Sequence, residues 1–169
     1  GNKIATLISN TLAKTEQNLN YDQIEKAAQM IIKCKRTFMF ARGDTFNTCS
    51  SFVLKMNKVN EYPILATQWE HSAQSLTNLT TNDCAVFVTY SGRNSNFLHF
   101  AEYLKELKIP TIVITGNIKS KLVKLCDVAI MVPMEENFDE KIGVFSSQVS
   151  IELVLDIIYS AIFKHNYQA

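Results

Sequence analysis

Short apolar runs alternate with segments of helical periodicity along most of this chain. Five runs predict β-strands, because they are rich in β-branched or aromatic residues and are bounded by turn-forming residues. They cover residues 37–41, 62–66, 85–89, 110–115 and 128–132. Between them, apolar residues recur every three or four positions, which predicts helices that pack on a sheet. This alternation favours right-handed βαβ units and a parallel sheet that is covered on both faces.

Helical patterns also flank the strands at both ends of the chain. Residues 1–35 predict two amphipathic helices, the second opening at Tyr21, and we assign residues 36–169 to the main domain. A final helix is predicted from Phe145 to Phe163, with apolar residues on nearly every side. Such a helix is buried by more than its own sheet, so we expect a second subunit to cover it.

The charge balance excludes a global electrostatic attraction to nucleic acid or membranes. Lys and Arg number 17 against 16 Asp and Glu, for a formal net charge of +1. No apolar run reaches the roughly 18 residues of a spanning helix, and nothing resembles a signal peptide. The cysteines, Cys34, Cys49, Cys84 and Cys126, lie within apolar patterns without C-x-x-C spacing. This favours reduced, buried thiols and a cytoplasmic protein.

Three small polar segments follow the first, third and fourth predicted strands, in residues 42–45, 91–95 and 115–120. The carboxyl ends of parallel strands lie at one edge of a sheet, where ligands of such folds bind. The second segment precedes an amphipathic helix, and the first N–H groups of a helix lack intrahelical acceptors. Its hydroxyl and amide side chains can bind phosphate oxygens, and Gly92 lets the backbone come close. The sequence therefore predicts an anion site.

Other interpretations of these residues remain open. Ser and Asn also cap helices for local reasons, so each segment alone could be an ordinary turn. Arg42 and Arg93 could pair with an anion or with acidic partners. For catalysis, the candidate bases are His71, which follows Glu70, and the acidic run that contains Glu136, although solvated surface residues explain both. The histidines and cysteines show no metal-ligand spacing, and we expect neither a metal nor a cofactor.

The order of these elements resembles that of the SIS (sugar isomerase) domain. Residues 91–95 between strand and helix, residues 112–116 and residues 120–122 carry the resemblance, which spans roughly residues 21–167. It implies an α/β fold, a flavodoxin-like three-layer sandwich with a five-stranded parallel sheet, to which the N-terminal helices are added. It also implies a phosphosugar site at the carboxyl ends of the strands.

A narrower resemblance is to the carboxyl-terminal effector domain of RpiR-family transcriptional regulators. Residues 40–45, 88–93 and 144–148, leading into residues 157–160, carry it. Family regulators place a helix-turn-helix domain before this module, and residues 1–35 are too short to contain one. We therefore expect DNA binding to reside in a domain outside this sequence, to which the N-terminal helices provide the link.

Two asparagines depart from the SIS phosphate motif. The family often reads Ser-x-Ser-Gly-x-Thr-x-Glu, and this chain has Asn94 in place of the threonine and Asn96 in place of the glutamate. An amide can bond an oxygen but cannot act as a carboxylate base, which argues against an isomerase. Asp44 and Thr45 stand where many members have two serines. Because a carboxylate repels phosphate, we expect Asp44 to meet sugar hydroxyls, a ligand ammonium group or Arg42.

The resemblance implies a non-catalytic sensor that binds a phosphorylated or related acidic sugar and signals through a homodimer. We expect the phosphate to be held by Ser91, Gly92, Arg93, Asn94 and Ser95, and the sugar by Gly43, Asp44 and Thr45, with Ser146, Ser147 and Gln148 closing the pocket at the entry to the last helix. Two alternatives stay open. One is an isomerase that acts through an enediol with His71 or Glu136 as its base, and the other is a module that serves only dimerisation.

Overall fold

A five-stranded sheet forms the centre of the computed structural model, which describes residues 2–67, 69–134 and 140–168, with side chains for 2–67, 71–134 and 145–167. The strands are β1 (Thr37–Phe40), β2 (Ile64–Leu65), β3 (Cys84–Val88), β4 (Thr111–Thr115) and β5 (Val128–Met131). The helices are α1 (Asn2–Gln17), α2 (Tyr21–Lys33), α3 (Asp44–Asn57), α4 (Trp69–Asn78), α5 (Ser95–Glu106), α6 (Lys121–Leu125) and α7 (Glu140–Gln168).

The strand order is β2-β1-β3-β4-β5, and every neighbouring pair is parallel, which confirms the predicted sheet. β2 lies at an edge of the sheet, and Pro63 directly precedes it, a position that suits proline because it cannot donate a hydrogen bond to a neighbouring strand. The chain runs outward from β1 to β2 and then returns past β1 to β3. The winding direction therefore reverses between β1 and β3, and ligands of such sheets bind beyond the carboxyl ends of those two strands.

Helices cover both faces of the sheet, as a three-layer sandwich requires. In β1, the side chain of Met39 packs in the core that includes residues of α2, α3 and α7. Phe38 and Phe40 point to the opposite face, where they pack with residues of α4, α5 and α6. The ring of Phe40 stacks on that of Phe87 in β3, with the centroids 5.2 Å apart. This alternation is the period of two that a strand imposes on its side chains.

Helix α7 begins earlier than the sequence pattern predicted. It starts at Glu140 rather than at Phe145. The chain itself covers part of it, since α1, α2 and α3 all pack against α7. On the α1 side the contact is polar: the hydroxyl groups of Thr15 and Ser150 lie 3.0 Å apart and share a hydrogen bond. A second subunit is therefore not needed to cover this part of the helix.

One segment could span a membrane when judged by length and composition alone, which corrects the expectation that none could. The 23 residues of Phe145–Tyr167 in α7 are long and apolar enough to do so. The core helix of a globular protein has the same composition. Ile151, Leu155 and Ile158 of α7 are at most 2% exposed and belong to the core on one face of the sheet. Core packing therefore explains part of the apolar character of the segment, while Phe145, Phe163 and Tyr167 are exposed.

Candidate functional site

Polar loops after β1 and β3 meet at the carboxyl edge of the sheet, where the winding direction reverses. A cavity of about 510 Å³ lies between them, which is a suitable volume for a small ligand. Its described lining comprises Arg42, Thr45, Val88, Thr89, Tyr90, Ser91, Arg93, Asn94 and Phe97. Of the predicted site residues, Thr45, Ser91, Arg93 and Asn94 are therefore brought together in one cavity.

The loop after β1 turns through Gly43 into α3. Gly43 precedes the helix with a φ of +61°, which a residue without a side chain adopts at low cost. Thr45 follows in the first helical turn, is 7% exposed and faces the cavity. Gly43 and Asp44 are exposed and lie outside the described lining. The first loop thus contributes chiefly Arg42 and Thr45.

The loop after β3 ends in the cap of α5. The side-chain oxygen of Asn94 accepts hydrogen bonds from the backbone N–H groups of Asn96 (3.0 Å) and Phe97 (3.1 Å). The hydroxyl oxygen of Ser91 accepts from the N–H of Arg93 at 3.3 Å. The backbone N–H groups of Asn94 and Ser95 have no acceptor within the part of the chain that the structure describes. Asn94 therefore caps α5 locally, and the same helix terminus also carries N–H groups to which a ligand can bind.

The described lining contains cationic side chains. It has two guanidinium groups, those of Arg42 and Arg93, and neither a carboxylate nor an imidazole among the lining residues that the structure describes. The amino terminus of α5 adds the positive end of a helix dipole. Thr89 and Tyr90 also line the cavity, although sequence reasoning did not select them. Their position directly after β3 was the available signal, since the carboxyl end of a strand must present the residues that follow it.

The loop after β4 positions the loop after β3. The side-chain amide of Asn117 donates to the carbonyl oxygen of Ser91 at 2.9 Å. The hydroxyl of Ser120 donates to the carbonyl oxygen of Gly92 at 2.6 Å, and that of Thr115 donates to the carbonyl oxygen of Tyr90 at 3.1 Å. Three successive carbonyl groups of the second loop are thus held from the side of β4. The third polar segment has a structural role and lies outside the described lining of the cavity.

The serines of α7 lie within the helix and not at its entry, because the helix begins at Glu140. Ser146 and Ser147 are 2% and 5% exposed and are not part of the described lining. The hydroxyl of Ser146 has no hydrogen-bond partner among the described residues. Ser146 and Ser147 are therefore buried within the helix, whereas the sequence predicted that they close the pocket at the entry to the helix.

Gln148 links α7 to the first turns of α3. Its amide nitrogen donates to the hydroxyl of Thr45 at 3.1 Å, and its amide oxygen accepts from the hydroxyl of Thr48 at 2.7 Å. Thr45 faces the cavity, so the Thr45 side chain directly connects the candidate site to Gln148 in α7, the longest helix of the described chain.

The two candidate bases have different positions. The Nδ1 of His71 accepts a hydrogen bond from the backbone N–H of Thr67 at 3.1 Å, and His71 is absent from the described lining of the cavity. Glu136 lies outside the described residues. His99 is exposed on α5, with its Nδ1 4.0 Å from a carboxylate oxygen of Glu102.

The family model of the SIS domain matches residues 30–161 of this chain. The chain belongs to the SIS domain family. The match covers most of the chain, and the observed sheet and its flanking helices are those of the SIS fold. The named resemblance and the predicted fold class are both confirmed.

Relatives of this SIS domain are regulators of transcription. The HTH-type transcriptional regulator RpiR of Escherichia coli is 24% identical over 135 residues, which are 80% of this chain and 46% of that protein. Other curated relatives are also HTH-type transcriptional regulators, and the chain spans about half the length of the curated relatives it matches. The predicted relationship to RpiR-family regulators is therefore confirmed.

Solved structures share the fold with this SIS domain at low identity. The Vibrio vulnificus NanR protein complexed with ManNAc-6P has a TM-score of 0.89 at 16% identity, over 99% of this chain and 63% of that one. The phosphoheptose isomerase GmhA from Neisseria gonorrhoeae has a TM-score of 0.76 at 16% identity, over 95% of this chain and 98% of that one. Regulators and enzymes both use this fold, so the choice between them depends on the site.

Proposed function

We propose that this SIS domain is the non-catalytic phosphosugar sensor of a transcriptional regulator. The described lining of the cavity carries the proposal, because it combines two guanidinium groups, hydroxyl groups and a helix terminus. Such a lining suits a phosphate ester. None of its described side chains is a carboxylate or an imidazole, the usual groups that move a proton between sugar carbons.

In this proposal the phosphate lies against the first turn of α5. The N–H groups of Asn94 and Ser95 and the hydroxyl of Ser91 provide donors, and Arg93 provides charge. The sugar then extends toward Thr45 and the loop after β1. The regulatory class of the relatives and the ligand of the V. vulnificus structure, ManNAc-6P, support this arrangement. DNA binding would belong to a domain outside this sequence, and the regulator would act in the cytoplasm.

Replacing Ser91 and Ser95 together with alanine is expected to weaken phosphosugar binding by about 1–3 kcal/mol and to leave the fold intact. Both side chains are exposed, so their loss removes donors without opening the core; Ser91 lines the cavity, and Ser95 is the first residue of α5, outside the described lining. The dissociation constant for N-acetylmannosamine 6-phosphate or arabinose 5-phosphate is measured by titration calorimetry, after a thermal-shift screen has identified which of these ligands binds.

A matched control replaces two exposed serines outside the described lining of the cavity, Ser51 in α3 and Ser160 in α7. The control variant should bind with the parent affinity. Unchanged affinity in the Ser91 and Ser95 variant would remove this loop from the phosphate site. If no phosphosugar raises the melting temperature of the parent chain, the sensor assignment fails and a module that serves only dimerisation is favoured.

The second candidate is a phosphosugar isomerase, which the structural likeness to GmhA favours. It requires a base within hydrogen-bond reach of the sugar carbons. The described lining residues include neither a carboxylate nor an imidazole. Isomerase activity would therefore need a base from outside the described lining, such as Glu136. Turnover of pentose, hexose or heptose phosphates by the pure chain, abolished by Glu136→Gln, would decide for the enzyme. Binding without turnover would decide for the sensor.

We also propose that the sensor is a homodimer. Helix α1 buries Thr11 and Thr15 and leaves Ile4 48% and Leu12 37% exposed. An apolar surface on a helix that packs through its polar residues is suited to a second copy. We expect light scattering at micromolar concentration to give a dimer mass, which Leu12→Glu should lower and the control Ala13→Glu, also exposed, should not. A monomer mass for the parent chain would contradict the proposal.

A further inference from the structure

A second, larger cavity lies at the opposite edge of the sheet. Its volume is about 730 Å³, and it is formed by α2 and by the segments that lead into β1, β3, β4 and β5. The lining is lysine-rich, with Lys26, Lys33 and Lys35. The wall also contains the thiol of Cys34, which is half-buried and thus accessible from the cavity. None of the proposed phosphosugar-binding residues contributes to this surface.

Behind Cys34 lies a second thiol. The sulfur atoms of Cys34 and Cys84 are 3.1 Å apart, and both cysteines are free. Cys84 is 0% exposed, so a reagent can reach it only after Cys34 has been displaced or has itself reacted. The two residues are 50 positions apart in the sequence, and the pairing of β1 with β3 brings them together.

The backbone around the two thiols is held in place by hydrogen bonds. The N–H of Lys35 donates to the carbonyl oxygen of Asn82 at 2.7 Å, and the N–H of Cys84 donates to that of Arg36 at 3.0 Å. The segments on both sides of the thiols are therefore already adjacent. A disulfide has sulfur atoms about 2.05 Å apart, so closing the pair moves them by about 1 Å in total.

The environment of Cys34 favours its thiolate form. The hydrogen bond between the Cys34 and Cys84 thiols lowers the pKa of Cys34 to about 7, with help from the Thr37 hydroxyl and against the effects of burial and of the Asp83 carboxylate. The Cys34 thiol also lies within hydrogen-bond distance of the carbonyl oxygens of Arg36 (3.2 Å) and Ile31 (3.4 Å), contacts that a reacting thiolate must give up. The hydrogen bond with Cys34 and burial raise the pKa of Cys84. Burial also raises the pKa of Cys49 and of Cys126 to about 12. Cys34 is the thiol best suited to react at neutral pH.

We propose that Cys34 and Cys84 form a redox-active pair that a hydroperoxide closes to an intramolecular disulfide. The Cys34 thiolate attacks one oxygen of hydrogen peroxide, the O–O bond breaks, and Cys34 becomes a sulfenic acid while hydroxide leaves and takes up a proton. The Cys84 sulfur then attacks the Cys34 sulfur, and the sulfenic oxygen departs as water with the Cys84 proton. Two thiols lose two electrons, and one peroxide is reduced to two molecules of water. Transient disulfides of this kind occur in reducing compartments.

The test uses the full chain, reduced and then exposed to a small molar excess of hydrogen peroxide. We expect the intact mass to fall by that of two hydrogen atoms, without dimer formation on a non-reducing gel. A protease digest should contain one linked pair of peptides, joining Cys34 to Cys84. A link from Cys34 to Cys49 or Cys126, or a disulfide between chains, would overturn the proposal. So would an unreacted pair under conditions that oxidise free cysteine.

Variants separate the roles of the two thiols. In Cys84→Ser, Cys34 should stop at the sulfenic acid, which dimedone traps. In Cys34→Ser, dimedone should label no cysteine, and Cys126→Ser should form the same disulfide as the parent. Iodoacetamide should label Cys34 in the native parent chain at least about tenfold faster than Cys49 or Cys126. If the Cys84 variant fails to fold, the labelling rates and the peptide map of the parent chain still decide. Labelling of Cys34 no faster than that of the buried thiols would contradict the proposal.

Discussion

Replacing Gly92 with alanine is expected to lower the free energy of unfolding by about 3 kcal/mol and to abolish phosphosugar binding. Gly92 has a φ of +64°, where an L side chain is strained. An added Cβ would also lie 2.6 Å from the Cβ and Oγ of Ser120 and 3.0 Å from the Oγ1 of Thr115. Both costs fall on the loop that carries the proposed phosphate donors.

Ser120 cannot move aside cheaply. It is 5% exposed, and its hydroxyl donates to the carbonyl oxygen of Gly92 at 2.6 Å. The same hydroxyl accepts the N–H of Leu122 at 3.2 Å, which caps α6. Rotation away from a new methyl group would break both hydrogen bonds, and the Cβ of Ser120 would still clash. The loop after β3 must therefore shift, and with it the N–H groups at the start of α5.

Gly43→Ala is the matched control for this prediction. Gly43 also has a positive φ, of +61°, but an added Cβ there meets nothing within 4 Å. It should cost only the backbone strain, about 1–2 kcal/mol. Urea unfolding gives the free energy of unfolding for both variants, and calorimetry gives the affinity. Equal destabilisation by the two substitutions would show that the contact with Ser120 has no energetic effect.

Replacing Asp83 with alanine is expected to cost about 2–3 kcal/mol of the free energy of unfolding. The Asp83 side chain is 1% exposed and accepts hydrogen bonds from the Nε of Arg36 at 3.1 Å and from its Nη2 at 3.0 Å. It also accepts from the N–H and the hydroxyl of Thr80, at 2.9 and 3.0 Å. The carboxylate thus joins the start of β1 to the turn before β3. Arg36 is 45% exposed and can be solvated after the loss, which keeps the cost below that of a fully buried pair.

The pH dependence of this effect has a definite sign. Burial acts to raise the pKa of Asp83, but the hydrogen bonds from Arg36 and Thr80 outweigh it and hold the pKa below its ordinary value. A lowered folded-state pKa stabilises the protein above the unfolded pKa of about 3.9, and this stabilisation is lost as the pH falls through the folded value. The difference between parent and Asp83→Ala should therefore be full at pH 7 and should narrow below about pH 4.

Asp156→Ala is the control for the Asp83 prediction, because Asp156 forms a salt bridge with Lys55 at the protein surface. The two groups are 2.6 Å apart, and the side chains of Asp156 and Lys55 are 43% and 35% exposed. Loss of such a surface pair should cost at most about 0.5 kcal/mol. Urea unfolding of both variants across this pH range is the measurement. Equal costs for the two aspartates, or a difference that widens in acid, would refute the role assigned to Asp83.

The elements of the fold could be predicted because their signals are local. The start of α2 at Tyr21 was predicted, and Asn20 caps it by accepting the N–H groups of Asp22 and Gln23. The five strands were found at the predicted places because apolar runs with turn residues at their ends require no distant information. The start of α7 was wrong by five residues, since Gly143, a poor helix former, interrupts the apolar pattern before Phe145 and makes a helix there look unfavourable in the sequence.

The candidate site was predictable in position more than in detail. Parallel strands bring their carboxyl ends to one edge, so Ser91 and Arg93 had to lie there once the strands were known. Asn94 both caps α5 and lines the cavity. The spacing of residues in the sequence cannot distinguish a capping residue from a cavity-lining one. The proximity of Gln148 to Thr45 spans 103 residues and depends on how α7 packs on α3. No local pattern contains that information.

The sequence by itself determined the α/β class, the parallel sheet and the sheet edge that holds the polar loops, because periodicity and turn chemistry act over a few residues. Only the tertiary structure decided which polar groups reach the cavity and which, like Ser120, hold its backbone. It also placed the thiols of Cys34 and Cys84 in contact, where the sequence had suggested four separate buried thiols. The physical reason is that strand pairing joins residues far apart in the chain, and the register of β1 on β3 is set by the packing of the whole sheet.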